Sequence, residues 1–335
     1  MSNLPEIKYC PGTLTPGYDT YSRTCLNRVF NGKKVNHILL YDSPASNPET
    51  DELFEENQRR MSISGVQEKF SVLLEKNRLR LINEGERGTY ILKPIPNAGR
   101  KSDQMPANEH LTMQIARQVY GIETAENALI FFKNGSPAYI TKRFDVKPDG
   151  TKYGKEDFAS LSGKTKDTAG PDFKYTGSYE EAAALIKKFV PAWQVEVEKF
   201  FEQVLFNYMF SNGDAHLKNF SLLETVNGDY FLSPAYDLLN TRIHADDTDF
   251  ALEEGLFIDN YKSETCGKYG HPCKADFMEF GKRIGIMEKR IDKLISPFLN
   301  KQPKVYELTD HSYLDDATKR AYTLHYETRK NSLNK

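Results

Sequence analysis

Apolar positions along this chain fall into two regimes, with short alternating or continuous runs up to Phe144 and longer runs at helical spacing beyond it. Residues 1 to 60 are rich in Pro, Gly, Asn and charge, and their one short apolar run, His37 to Tyr41, predicts a strand in an otherwise loosely built lead. From Ser62 the character changes. Phe70 to Leu74 and Leu79 to Ile82 flank the polar stretch Glu75-Lys76-Asn77-Arg78 and predict a hairpin. Another strand is expected at Thr89 to Lys93, stopped by Pro94 and Pro96, neither of which can donate to a ladder. Leu111, Ile115 and Val119 recur every fourth position with Gly121 just beyond, so an amphipathic helix is predicted over Ala107 to Tyr120. Ala128 to Phe132 and Ala138 to Thr141 then read as strands around the Lys133-Asn134-Gly135 turn.

After Phe144, helices are predicted at Tyr179 to Val190, Trp193 to Ser211, Ala275 to Ile284 and Glu288 to Leu299, with a strand pair around Asn227-Gly228. The pattern implies an α+β fold with a lead at 1–60, a mixed, β-rich N-lobe at 61–144 and a mainly helical C-lobe at 145–335. No internal repeat or low-complexity tract interrupts it.

Composition narrows the function classes. With 39% hydrophobic and 12% aromatic residues, 335 residues suffice for one large core or two lobes around a cleft. Forty-five basic against forty-seven acidic side chains give a formal charge of -2, so no overall field favours nucleic acid or an anionic membrane. No apolar run approaches the roughly 20 residues of a membrane-spanning helix, and Met1 to Pro16 lacks the apolar core of a secretory signal, so a cytoplasmic location is expected. Four cysteines make no disulfide framework in a chain of this length. Cys266 and Cys273 bracket His271, but three ligands are one short of a closed structural zinc site, and loop or core cysteines are the expectation there.

The densest chemistry lies in Asn212-Gly213-Asp214-Ala215-His216-Leu217-Lys218-Asn219, between a long apolar helix and the predicted strand pair. Phosphoryl transfer needs a carboxylate near the attacking hydroxyl, and protein kinases place an Asn five positions after that Asp to hold magnesium, the spacing of Asp214 and Asn219. A second metal ligand is expected beyond the hairpin, where Ser233-Pro234-Ala235-Tyr236-Asp237 supplies Asp237. Each residue alone reads as a cap or turn former, and only their joint occurrence favours a metal site. His216 either organises the loop by hydrogen bonds or is simply a satisfied imidazole. Lys93 ends the strand Tyr90-Ile91-Leu92-Lys93, where a kinase keeps its phosphate-binding lysine. Glu109, early in the following helix, either pairs with Lys93 or merely complements the helix dipole. No Walker A sequence and no G-x-G-x-x-G loop is present. Ser62-Ile63-Ser64-Gly65-Val66-Gln67-Glu68-Lys69 is the candidate phosphate cover, or else an ordinary turn.

In order, the Ser62 to Lys69 loop, Ile91-Leu92-Lys93-Pro94, Asn108-Glu109, Lys142-Arg143-Phe144-Asp145, the Asp214 to Asn219 loop and Pro234-Ala235-Tyr236-Asp237 resemble the HipA family of serine/threonine kinase toxins, from about Ser62 to about Leu299. The resemblance implies a two-lobed protein-kinase-like fold related to phosphoinositide kinases, and ATP and Mg2+ as cofactors. It makes Asp214 the catalytic base assisted by His216, Asn219 and Asp237 the metal ligands, and Lys93, Ser64, Gly65, Gln67, Lys142, Phe144, Asp145 and Tyr236 the nucleotide-binding set.

It further implies that Ser62, with Ser64 as in the shorter HipT branch, is autophosphorylated. About two negative charges would thereby be added beside a phosphate site and the kinase silenced. Expected partners are a helix-turn-helix HipB-like antitoxin, which would supply any DNA contact, and a small HipS-like protein standing for the N-terminal subdomain that full-length relatives carry before the loop. The expected substrate class is an aminoacyl-tRNA synthetase, and no membrane association is expected. Two other readings stay open: a small-molecule or lipid kinase, whose loops share the Asp-x-His-x-x-Asn style, and a non-catalytic pseudokinase acting as corepressor with its antitoxin.

Overall fold

The computed structural model describes residues 4–44, 68–97, 99–147 and 149–335. The chain divides into two compact units. The first comprises Met1–Gln114, Ala125–Thr151 and Glu307–Lys319, and the second Ile115–Thr124, Lys152–Tyr306 and Arg320–Lys335. These bounds differ from the linear division at residues 60 and 144 expected from the sequence, because segments distant along the chain fold together.

In the first unit, strands β1 (Phe70–Glu75), β2 (Arg78–Leu81), β3 (Tyr90–Pro94), β4 (Asn127–Phe131) and β5 (Pro137–Lys142) form an antiparallel sheet in the order β2-β1-β3-β5-β4. The β1–β2 hairpin turns on Lys76 and Asn77, both at positive φ (45° and 65°), the backbone of a type I′ turn that matches strand twist. Pro94 does not precede the end of β3 but forms it, opposite Ala138, where a missing N–H is tolerated. The expected strand at His37 to Tyr41 is reduced to one parallel bridge, Ile38 with Phe131. Backbone bonds from Leu39 N to Phe131 O (2.7 Å) and Phe131 N to His37 O (2.8 Å) hold it beside β4.

The lead is more ordered than expected over its described part. Helix α1 (Arg23–Phe30) is capped by the Ser22 hydroxyl, which accepts from Cys25 N, and ends on Asn31 in the left-handed region. Cys10, Tyr21, Cys25, Val29 and Phe30 pack with Val72, Leu92, Ile130 and Ile140 of the sheet in one core. Tyr21 donates to Leu129 O (2.7 Å) and Tyr90 to Val29 O (2.9 Å), so buried phenols satisfy carbonyls there. From the far end of the sequence, His311 stacks on Tyr9 (4.2 Å) and donates through Nδ1 to Leu14 O at 3.0 Å. Helix α2 (Met105–Gln118) is not simply amphipathic: every residue from Pro106 to Gln114 is buried. Within it Gln114 pairs with Asn127 at 2.9 Å and Thr112 with Asn108 O at 2.9 Å.

The second unit is mainly helical. Short helices α3 (Phe158–Leu161) and α4 (Lys166–Ala169) precede α5 (Tyr179–Phe189), which opens on a Ser178/Glu181 capping box, and the long α6 (Trp193–Met209). Strands β6 (Lys155–Asp157), β7 (Ser221–Glu224) and β8 (Tyr230–Leu232) form a second antiparallel sheet, with the expected β7–β8 hairpin turning at Gly228 (φ 85°). Phe158, Phe200, Phe220 and Tyr179 interlock between this sheet and the helices. Helices α7 (Glu264–Tyr269), α8 (Lys274–Arg283), α9 (Glu288–Leu299), α10 (Pro303–His311) and α11 (Asp316–Leu333) follow. Among the described residues no helix is long and apolar enough to cross a membrane.

On α6, burial pushes the Glu202 carboxyl from 4.5 up to about 7; Glu198 adds to the effect and Arg290 opposes it. The folded state therefore keeps a proton that the unfolded chain has already released, and stability is lost as pH rises from about 4.5 to about 7. Glu202→Gln is expected to flatten that decline, gaining about 2–3 kcal/mol over wild type at pH 7.5 and little at pH 4, as read by urea unfolding at the two pH values.

Candidate active site

Helix α6 is buried along nearly its whole second half, and the chain that leaves it must satisfy its polar groups locally. Ser211 takes the left-handed conformation (φ 53°), and its carbonyl accepts from both the N–H and the hydroxyl of Thr241 (3.1 Å each). The Thr241 hydroxyl in turn accepts from Gly213 N at 2.8 Å. Asn212 donates through Nδ2 to Asn207 Oδ1 (2.8 Å) and to Asp237 O (3.4 Å), tying the loop to the segment that carries the second acid. A Cβ on Gly213 would lie 2.4 Å from Asp247 Cβ and 2.8 Å from Thr248 O, so this position requires glycine.

On this platform Asn219 Nδ2 lies 3.5 Å from Asp237 Oδ2, and Asn219 Oδ1 accepts from His216 N at 3.1 Å. Asp237 adopts φ 56°, held there by the bridge of Ala235 with Thr124 just upstream. Asp214 accepts from the Tyr175 phenol at 2.7 Å through Oδ1. The Lys174 ammonium, which can only donate, is 2.9 Å from His216 Nε2, so the neutral ring carries its proton on Nδ1. Burial holds the His216 pKa below 6.5, with Lys174 contributing in the same sense and Asp214 opposing, and the ring is neutral at pH 7. The backbone of His216 thus bonds within the loop, to Asn219, and its ring bonds outside it, to Lys174. The Tyr236 hydroxyl contacts Ser221 Oγ (2.5 Å) and donates to Lys218 O (2.9 Å), bracing the two arms of the hairpin.

The first unit holds the other candidates. Lys93 Nζ is 2.6 Å from Glu109 Oε1, with side chains 4% and 2% exposed, so the pairing is real and buried; the ammonium also lies 5.2 Å from the Tyr139 ring centroid. Asp145 receives a two-pronged bond from Arg143 (3.0 and 2.6 Å), and Lys142 reaches Asn31 Oδ1 at 2.7 Å. Phe144 is half-buried between them. Ser62, Ser64, Gly65 and Gln67 lie outside the described residues.

Asn219 and Asp237 thus meet, with Asp214 and His216 in the same loop, whereas Lys93, Lys142, Phe144 and Asp145 belong to the other unit. Sequence reasoning missed Lys174, Tyr175, Asn207 and Thr241, which touch the loop from distant positions and carry no motif. Near α7 and α8, Cys266 and Cys273 are buried, and His271 Nδ1 is 2.7 Å from Asp249 Oδ2. Among the described residues no group of three or more His, Cys, Asp or Glu gathers as a metal site. Asn219 and Asp237 are a different case, offering an amide and a carboxylate. Hard oxygen donors of this kind suit magnesium, and Asn219 Oδ1 retains a lone pair beyond its bond to His216 N.

A model of the HipA-like C-terminal domain family matches residues 61–305. A Haemophilus influenzae protein that is a kinase by name only is 28% identical over 317 residues, covering 88% of this chain and 87% of that protein. Y4dM of Sinorhizobium fredii, likewise a kinase by name only, is 34% identical over 200 residues, 55% of this chain and 46% of its own. Among solved structures, HipA of Shewanella oneidensis, determined with HipB and operator DNA, superposes with TM-score 0.60 at 20% identity over 81% of this chain and 63% of that one. The Helicobacter pylori proinflammatory kinase CtkA superposes with TM-score 0.51 at 17% identity over 78% and 93%. Both likenesses concern the fold.

Glu109→Gln leaves the Lys93 ammonium buried without its counter-charge. The expected loss is about 3–5 kcal/mol by denaturant unfolding, whereas replacing the pair together with Met and Leu costs far less.

Proposed function

The chain belongs to the HipA-like C-terminal domain family, and on that premise we propose that it is an ATP-dependent serine/threonine protein kinase, the toxin of a toxin–antitoxin pair. The observation that carries the reading is the meeting of Asn219 with Asp237 at 3.5 Å in the loop that also presents Asp214. In this reading Asp214 accepts the proton of the attacking hydroxyl, and His216 fixes the loop through its bonds to Asn219 and Lys174. Asn219 and Asp237 hold Mg2+, which supplies charge neutralisation at the phosphates when bound. By the same resemblance Lys93, paired with Glu109, is the proposed phosphate-binding lysine, and Lys142, Phe144, Asp145, Tyr236, Ser64, Gly65 and Gln67 are the proposed nucleotide-binding residues.

The partner and substrate follow from likeness. Shewanella HipA was determined with HipB and operator DNA, and a HipB-like helix-turn-helix antitoxin is the partner proposed for this chain, with any DNA contact made through it. An aminoacyl-tRNA synthetase is the proposed substrate class, and Ser62 or Ser64 the proposed site of self-modification.

Incubated with Mg-ATP labelled in the γ-phosphate and cell lysate, the purified chain is expected to place label in protein bands. Asp214→Asn should reduce this by about 100-fold or more, Asp237→Asn should raise the magnesium required, and chelation by EDTA should abolish transfer until Mg2+ is returned. Label confined to small molecules or lipid would sink the protein-kinase assignment, and transfer undiminished in Asp214→Asn would sink the site.

Wild-type protein made in cells is expected to carry phosphate on Ser62 or Ser64 by peptide mass spectrometry, and Asp214→Asn protein none.

A further inference from the structure

Resting on the assignment of Asp214 as base, the geometry points to Tyr175 as a positioning residue that orients this carboxylate. The phenol donates to Asp214 Oδ1 at 2.7 Å. That bond fixes the rotation of the carboxylate and leaves Oδ2 as the oxygen to receive the proton of an incoming hydroxyl.

Tyr175 is itself firmly held, by contacts that do not involve its hydroxyl. Its N–H donates to Asp172 O (2.8 Å), and its carbonyl accepts from Glu253 N (2.9 Å). Its ring meets His216 edge to face with centroids 5.2 Å apart, and Lys174 Nζ lies 4.7 Å from the ring centroid. The segment is stitched to the catalytic loop a second time, because Leu217 N donates to Lys174 O at 3.0 Å. The charged and titratable groups facing the phenol are Asp214, Lys174, His216, Asp172 and Asp247. Burial first, then the bond to Asp214 and the charges of Asp214, Asp247 and Asp172, push the phenol well above its usual range, so it remains a donor at every working pH. Because backbone and ring anchor the segment, phenylalanine at this position removes the hydrogen bond while keeping the packing.

The test measures label transfer from Mg-ATP to casein and to the chain itself between pH 5 and 9, in wild type, Tyr175→Phe and Asp214→Asn. Tyr175→Phe is expected to lower kcat about tenfold, the worth of a hydrogen bond to a charged group, with KM for ATP unchanged, because the carboxylate is then free to rotate away from the incoming hydroxyl. Site-specific 4-aminophenylalanine at position 175, which returns an N–H donor at nearly the same place, should recover most of that kcat, which a packing role would not predict. A kcat unchanged or raised in Tyr175→Phe, or equally low in both variants, overturns the role of Tyr175 while leaving the kinase reading intact. A wild type that transfers no label, or matches Asp214→Asn, overturns the kinase reading and this inference with it.

Discussion

The candidate site depends on how a chain leaving a buried helix satisfies its own backbone. After Met209 the main chain can no longer continue the ladder of α6, and water is scarce around Ser211 and Asn212, which are 2% and 3% exposed. Side chains take over: Thr241 closes on Ser211 O and Gly213 N, and Asn212 spans from Asn207 to Asp237 O. Because an unmade buried hydrogen bond costs about 1–3 kcal/mol, four such groups fix the loop in one shape before any ligand arrives. The position of Asp214 and Asn219 relative to Asp237 follows from that shape.

Helix α11 reinforces it from behind. Arg329, 1% exposed, pairs with Asp249 Oδ1 at 2.5 Å, lies 4.8 Å from the Tyr208 ring centroid and approaches Ser211 Oγ at 3.4 Å. Asp249 shares its other oxygen with His271, and His325 on the same helix reaches Asn240 at 3.1 Å. A guanidinium buried against an aromatic face and a carboxylate is held in one orientation, so this helix braces the entry to the loop rather than merely covering apolar surface.

Much of this was legible in the sequence where chemistry and periodicity coincide. The five sheet strands of the first unit, the hairpin on Lys76-Asn77 and the helices at 193–209 and 288–299 announce themselves by alternation, turn residues or helical spacing. The spacing of Asp214, Asn219 and Asp237 singled out three residues, two of which, Asn219 and Asp237, lie 3.5 Å apart. Helix α11 did not, because its buried stripe in the second unit is Tyr322, Tyr326, Arg329 and Leu333, in which only the last is aliphatic. A hydropathy pattern reads such a stripe as a charged surface. The lead misled for the opposite reason: its Pro, Gly and Asn mark a chain that turns often, yet Cys10, Cys25 and Phe30 between those turns are buried in the sheet core. Tyr175 reaches Asp214 from 39 positions away, and local sequence contains no signal for a contact made by tertiary folding.

The charges that the fold buries bear on function through what stability alone would select. A buried ion pair is commonly no more stabilising than apolar side chains of the same volume, since desolvating both charges offsets their attraction. Lys93 and Glu109 sit at 4% and 2% exposure at the end of a strand that is otherwise apolar, a place where Leu and Met would pack at no loss. What the pair does is fix a direction: Glu109 orients a cation that has given up most of its hydration. Under the proposed kinase reading, a phosphate oxygen would gain a Coulomb partner there without having to strip water from it. The ion pair of the first unit and the hydrogen-bonded carboxylates of the second each hold charge in a fixed place, the one by a counter-charge and the other by neutral donors.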